Sequence, residues 1–370
     1  MNRIYMRLNI LPTLLGLLAS CLSCLSSYAQ SVNPLVDASG VIKKYDNTFD
    51  GIGPEVYFVP APQKENDIIN DFKSIALFTD SIHRFALQEE LINSFENTRN
   101  YSIVDNIILL DSISLQNWDK AVAYQIEADN TLLATGLLNA FAKEYILKKE
   151  YIKAETLLTR ALNLIAYDRT FEDKAVLQAN LASILIFNNN YTEAKILEEE
   201  LNLDAKKSKS LTNEANSHVK LALLEAYSQE YTNAENRIIR KAIPLFNRAK
   251  DYDNKINAWI KLGKIYTLNK KYIQAQWFLI QAQELAKLKN IAKYDAQIEF
   301  MLGYAKFYQN NLHMSEKELT QALKLAQENG NKYIEIAATQ MLGEIALKQN
   351  KIDDAETFLN SYWKLRKAYF

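Results

Sequence analysis

Apolar residues recur along most of this chain at helical spacing, not in strict alternation. From Trp118 onward they sit on a ladder of short anchors. These read Tyr151-Ile152-Lys153-Ala154, Tyr191-Thr192-Glu193-Ala194, Tyr231-Thr232-Asn233-Ala234, Tyr272-Ile273-Gln274-Ala275, Leu312-His313-Met314-Ser315 and Ile352-Asp353-Asp354-Ala355. The steps between their last residues are 40, 40, 41, 40 and 40. Twelve residues before each lies a second small position: Ala142, Ala182, Ala222, Gly263, Gly303 and Gly343. Each unit therefore predicts two helices and a polar turn, such as Ile256 to Tyr266, then Asn269-Lys270-Lys271, then Ala275 to Leu285. Antiparallel helices approach closely only where small side chains face each other, and one pair cannot bury both of its apolar faces. Successive pairs must stack and share a core. The expected fold is all-α, a right-handed solenoid of stacked antiparallel helix pairs.

The pattern resembles the tetratricopeptide repeat family. Leu262-Gly263-Lys264-Ile265-Tyr266, then Tyr272 to Ala275, then Leu279 and Ala282 match its signature, with Trp259 ahead of them. The unit is longer than the family's standard one, as in long-helix variants. The Tyr191 to Ala194 unit departs further, because Glu198 and Leu201 replace an apolar residue and an Ala.

Ahead of the ladder, 1–29 reads as an export signal: Arg3 and Arg7, an apolar run from Leu8 to Leu25, and a small-x-small site at Ser27-Tyr28-Ala29. Leu18-Ala19-Ser20-Cys21 also resembles a bacterial lipobox, which puts cleavage before Cys21 and a lipid on it. Either way the expected location is the periplasm or the outer membrane, with membrane contact only through that anchor. Residues 30–65 hold Pro34, Gly40, Gly51, Gly53, Pro54, Pro60 and Pro62 and read as a tether, with Val56 to Val59 as a brief extended run. Residues 66–113 read as a degenerate first pair plus the first helix of a repeat, so 66–370 is expected to hold about seven pairs. Pro244 predicts a kink or an end within a second helix.

Charge and chemistry narrow the function. Lys and Arg total 43 against 44 Asp and Glu, which gives nucleic acid no basic surface to bind. His83, His218 and His313 fall in different helix pairs, and Cys21 and Cys24 are the only cysteines. No metal motif, nucleophile motif or phosphate loop is present, so neither cofactor nor metal nor catalysis is expected. His218 reads as a packed histidine. The aromatic C-terminal end, Tyr362, Trp363, Tyr369 and Phe370, either caps the last pair or marks a contact surface.

The resemblance further implies a concave face lined by first helices. It places there Phe187, Asn216, Val219, Leu223, Tyr227, Ile260, Lys264, Gln297, Phe300, Tyr304 and Tyr308. Aromatics with a few amides suit a peptide or protein segment laid in a groove. The alternative is that several of them only pack between long helices. The expected role is an exported, non-catalytic protein-interaction scaffold; the second reading is a stand-alone relative of the repeat sensor region of bacterial signalling receptors.

Overall fold

The computed structural model describes residues 65–75, 78–165 and 171–370. The expected leader, the tether up to residue 64 and the run at 56–59 lie outside the described residues. By contacts the chain divides into Met1–Asp67 and Ile68–Phe370. Of the first unit only Glu65 to Asp67 are described, as the first turn of a helix; the rest of this account concerns the second.

Among the described residues there is no strand. Four helices come first: α1 Glu65–Ile75, α2 Thr79–Ser94, α3 Tyr101–Leu110 and α4 Trp118–Glu127. Six pairs follow. They are α5 Thr131–Leu147 with α6 Tyr151–Ile165, then α7 Phe171–Phe187 with α8 Tyr191–Lys207. Next are α9 Leu211–Tyr227 with α10 Tyr231–Arg237, which runs through a π turn into α11 Ile243–Ala249, and α12 Tyr252–Leu268 with α13 Tyr272–Lys289. Last are α14 Asp295–Tyr308 with α15 Leu312–Asn329, and α16 Lys332–Lys348 with α17 Ile352–Tyr369. From α5 onward each helix packs chiefly on its neighbours in sequence, so the pairs form one stacked solenoid.

The small anchor positions do what close crossing requires. Ala142, Ala154, Ala182, Ala194, Ala222, Ala234, Ala275, Ser315 and Ala355 are all fully buried. At Gly303 a Cβ would come within 2.6 Å of Leu319, so the missing side chain is what admits that leucine. Ser315 Oγ donates to Gly303 O at 2.7 Å across the same crossing. The anchor aromatics join one pair to the next: Tyr151 meets Phe187 at 4.3 Å between ring centres, and Tyr191 meets Tyr227 and Tyr272 meets Tyr308 at 5.3 Å.

Helix ends repeat as well. Asp129, Lys149, Asn189, Lys209, Gln229, Lys250, Lys270, Asn290, Asn310, Gly330 and Asn350 all have positive φ. The next amide then reaches back to the last turn, as Glu150 N–H does to Tyr145 O at 2.8 Å. This left-handed stop satisfies carbonyls that the helix end leaves open.

Of the two outcomes expected at Pro244, a kink or an end, the end does not occur. The helix widens into the π turn Ile238–Ala242 and resumes, with Pro244 in the first turn of α11, where its missing N–H costs little. More importantly, α1 and α2 are not a degenerate pair at the start of the row. Ile68, Phe72 and Ile75 of α1 cluster with Ile336, Ala346, Ala355, Leu359 and Tyr362 of α16 and α17, and Phe72 fills the space left by the absent side chain of Gly343. Helical spacing says that a face must be buried; it does not say against which end of the chain.

Candidate functional site

The helix α2 crosses the faces of the first helices of the pairs. It packs on α5, α7 and α16. Its sixteen residues span only about 24 Å at ~1.5 Å per residue. Six first helices side by side at about 8–10 Å each would span roughly twice that. One short helix reaches both ends only because the row curves round it. The α2 helix thus lies along the inner face, where a groove ligand was expected.

Three kinds of contact hold it there. At its start, Phe78 meets Trp363 edge-on at 5.8 Å, Phe85 meets Phe370 at 5.2 Å, and Arg366 donates to Ser81 Oγ at 3.1 Å. The aromatic C-terminal end therefore caps the last pair, with Tyr362 fully buried. In its middle, the Arg84 guanidinium lies 4.5 Å over the Phe187 ring, a cation–π contact. A cavity of about 250 Å³ opens beside it, lined by His83, Arg84, Leu87, Phe187, Tyr191 and Tyr227. Toward its end, Glu90 pairs with Lys261 and with Lys264, the latter at 3.4 Å, both from α12. Lys261 is 8% exposed. Burial disfavours the Glu90 charge, but the two ammonium groups outweigh it and hold the carboxyl well below its usual range. Burial pushes the Lys261 ammonium down although Glu90 opposes it. Burial also acts on Lys264, where Glu90 and Tyr227 more than offset it and raise its pKa.

Beyond α2 the chain extends through Phe95, which has φ −73° and ψ 120°, and its main chain is gripped by side chains. Glu96 N–H donates to Asn180 Oδ1 at 3.0 Å, and Glu96 O accepts from Asn180 Nδ2 at 2.8 Å and Asn139 Nδ2 at 3.1 Å. Asn180 Nδ2 also reaches Asn139 Oδ1 at 2.9 Å. Arg99 N–H donates to Asp173 Oδ1 at 2.9 Å. Asn139, Asn180 and Asp173 are buried on α5 and α7. A buried polar group without partners costs about 1–3 kcal/mol, and Asn139 and Asn180 find theirs in the Glu96 main chain and in each other, Asp173 in Arg99.

Of the sequence-expected groove residues, Phe187, Tyr227 and Lys264 come together around α2. Tyr304 lies 4.7 Å from Tyr308 between ring centres, and burial with the Tyr308 hydrogen bond raises its pKa. Val219, Leu223, Ile260 and Phe300 are buried with α2 in place. Asn216 and Gln297 are half-buried, and Tyr308 is 52% exposed. Glu90, Lys261, Asn139, Asn180 and Asp173 were not expected. The signal for three of them was present: Asn139, Asn180 and Lys261 interrupt the most apolar stretches of their helices, and a polar group in such a run needs a partner. His218 is a packed histidine, 3% exposed; burial, then Arg237, Lys206 and Lys241, lower its pKa to about 4. Glu198, the misfit of its repeat, is fully buried with Lys220 Nζ 3.3 Å from Oε1, and burial raises its pKa.

Among the described residues no group of three metal-ligating side chains occurs, and no helix is long and apolar enough to cross a membrane. No protein-family profile and no curated protein sequence matches the chain. Solved structures do. The apo form of RapI is 13% identical with a TM-score of 0.50 and covers 68% of this chain and 96% of its own. Aspartyl phosphate phosphatase F from Bacillus subtilis is 11% identical with a TM-score of 0.54 and covers 83% and 96%. A signal transduction ATPase with a tetratricopeptide repeat sensor, from Pyrococcus horikoshii, is 14% identical with a TM-score of 0.54 and covers 82% of this chain and 48% of its own. At these identities the likeness shows the fold.

Proposed function

We propose, from the premise that the chain is a helical repeat protein of the tetratricopeptide type, that it is an exported, non-catalytic interaction scaffold whose inner face takes a segment of a partner protein. One observation carries this reading. The inner face grips a main chain remote in sequence, residues 95–99, through the buried amides of Asn139 and Asn180 and the carboxylate of Asp173. Contacts of this kind recognise a segment and perform no reaction on it. Near-neutral charge argues against nucleic acid. Export rests on the apolar leader over 1–29, with the lipid on Cys21 as the anchor.

Capture of partners from an envelope extract by the mature protein tests the scaffold. One stoichiometric protein is expected, lost when Tyr304→Ala is combined with Tyr308→Ala; undiminished recovery by that variant ends the inner-face assignment. Mass measurement of the mature N-terminus is expected to return a lipidated Cys21. A start at Gln30 replaces the anchor with a free protein, and an intact Met1 ends export.

A further inference from the structure

The inner face is already filled, and by a segment that buries few of its helix's own side chains. Within α2 from Ser81 onward, only Ile82 and Leu91 are buried, whereas α9, of similar length, buries ten residues from Ala215 to Ala226. A helix held at few apolar points opens at lower cost than the elements around it. The grip on 95–99 is part sequence-dependent, through the buried Phe95 side chain and the Arg99 pairs with Glu172 and Asp173, and part blind to sequence. Asn139 and Asn180 touch only the N–H and C=O of Glu96, which any residue supplies. One requirement is strict: a buried Lys261 beside Lys264 is costly without an opposing charge, and among the described residues Glu90 is the carboxylate that pairs with both. The face therefore demands a carboxylate from whatever lies on it.

We propose that α2 and residues 95–99 are an internal stand-in for the partner: they hold the inner face in cis, and a partner displaces them with an amphipathic helix that carries an acidic side chain and continues into extended main chain. This rests on the scaffold reading and names the partner's chemistry. The apparent affinity for such a partner is reduced by the fraction of molecules in which α2 is docked.

The test uses the full chain and a fluorescent synthetic peptide of residues 78–99. Glu90→Gln in the full chain weakens the cis contact but leaves the peptide's own acid intact, so this variant is expected to bind the peptide about tenfold tighter than the wild type. The same peptide carrying Glu90→Lys is expected to bind neither. In the wild type, amide exchange of α2 is expected to run well ahead of α9. Equal affinity of both chains for the peptide, or α2 amides as protected as those of α9, overturns the proposal; the exchange result decides alone should Glu90→Gln fail to fold. An envelope partner that binds without releasing prebound peptide ends this inference and leaves the scaffold standing. Peptide exchange with no envelope partner does the reverse.

Discussion

At the scale of single residues, the polar groups that the repeat pattern does not need are the informative ones. His218 is buried with Nδ1 unpartnered among the described residues, and its pKa is lowered from 6.5 to about 4. Between those values the unfolded chain binds a proton that the folded chain refuses, so stability rises with pH there and is lost as pH falls from 6.5 toward 4. The full effect amounts to at most about 3 kcal/mol. His218→Gln is expected to flatten that slope in denaturant titrations across the window; an unchanged slope assigns it to other groups. Lys261 follows the same logic in the same charge sense and Glu198 in the opposite one. Glu198 sits buried where its repeat equivalents are apolar, and each of the two has a partner that sequence spacing could not supply, Lys220 for one and Glu90 for the other.

At the scale of elements, the hairpins were legible because their determinants are local. The small residues at the crossings and the polar turns lie within one unit, so a period of forty reads directly as two helices and two stops. The one step of 41 residues was visible, but its structural answer was not. The extra residue is taken up in the π turn Ile238–Ala242, directly before Pro244, where a wider turn also relieves the proline ring. Deleting Arg240, which is exposed, is expected to restore the period but force Pro244 into a regular helix, at a cost of about 3 kcal/mol in thermal or denaturant unfolding. Adding Pro244→Ala is expected to recover most of that loss. If the deletion is neutral, insertion and proline are unrelated.

At the scale of the whole molecule, α1 and α2 change what kind of object the solenoid is. A plain row of repeats transmits stability only from neighbour to neighbour. Here Leu91 and Phe95 join the core around α5 and α7, while Ile82 joins the one built on α16 and α17. This link was hidden in the sequence because the residues that meet, such as Glu90 with Lys261 or Ser81 with Arg366, are 171 and 285 positions apart and share no period. Tyr362→Ala is expected to cost about 3–5 kcal/mol and to speed amide exchange in distant α7 as well as in α17; a response confined to the last two pairs would show that the ends are independent. The same arrangement sets an order of events. The α1 helix is made well before α16 and α17, on which Ile68, Phe72 and Ile75 come to rest. Its apolar stripe therefore stays uncovered while the hairpins between are being made, and folding of this helix waits for the hairpin that receives it.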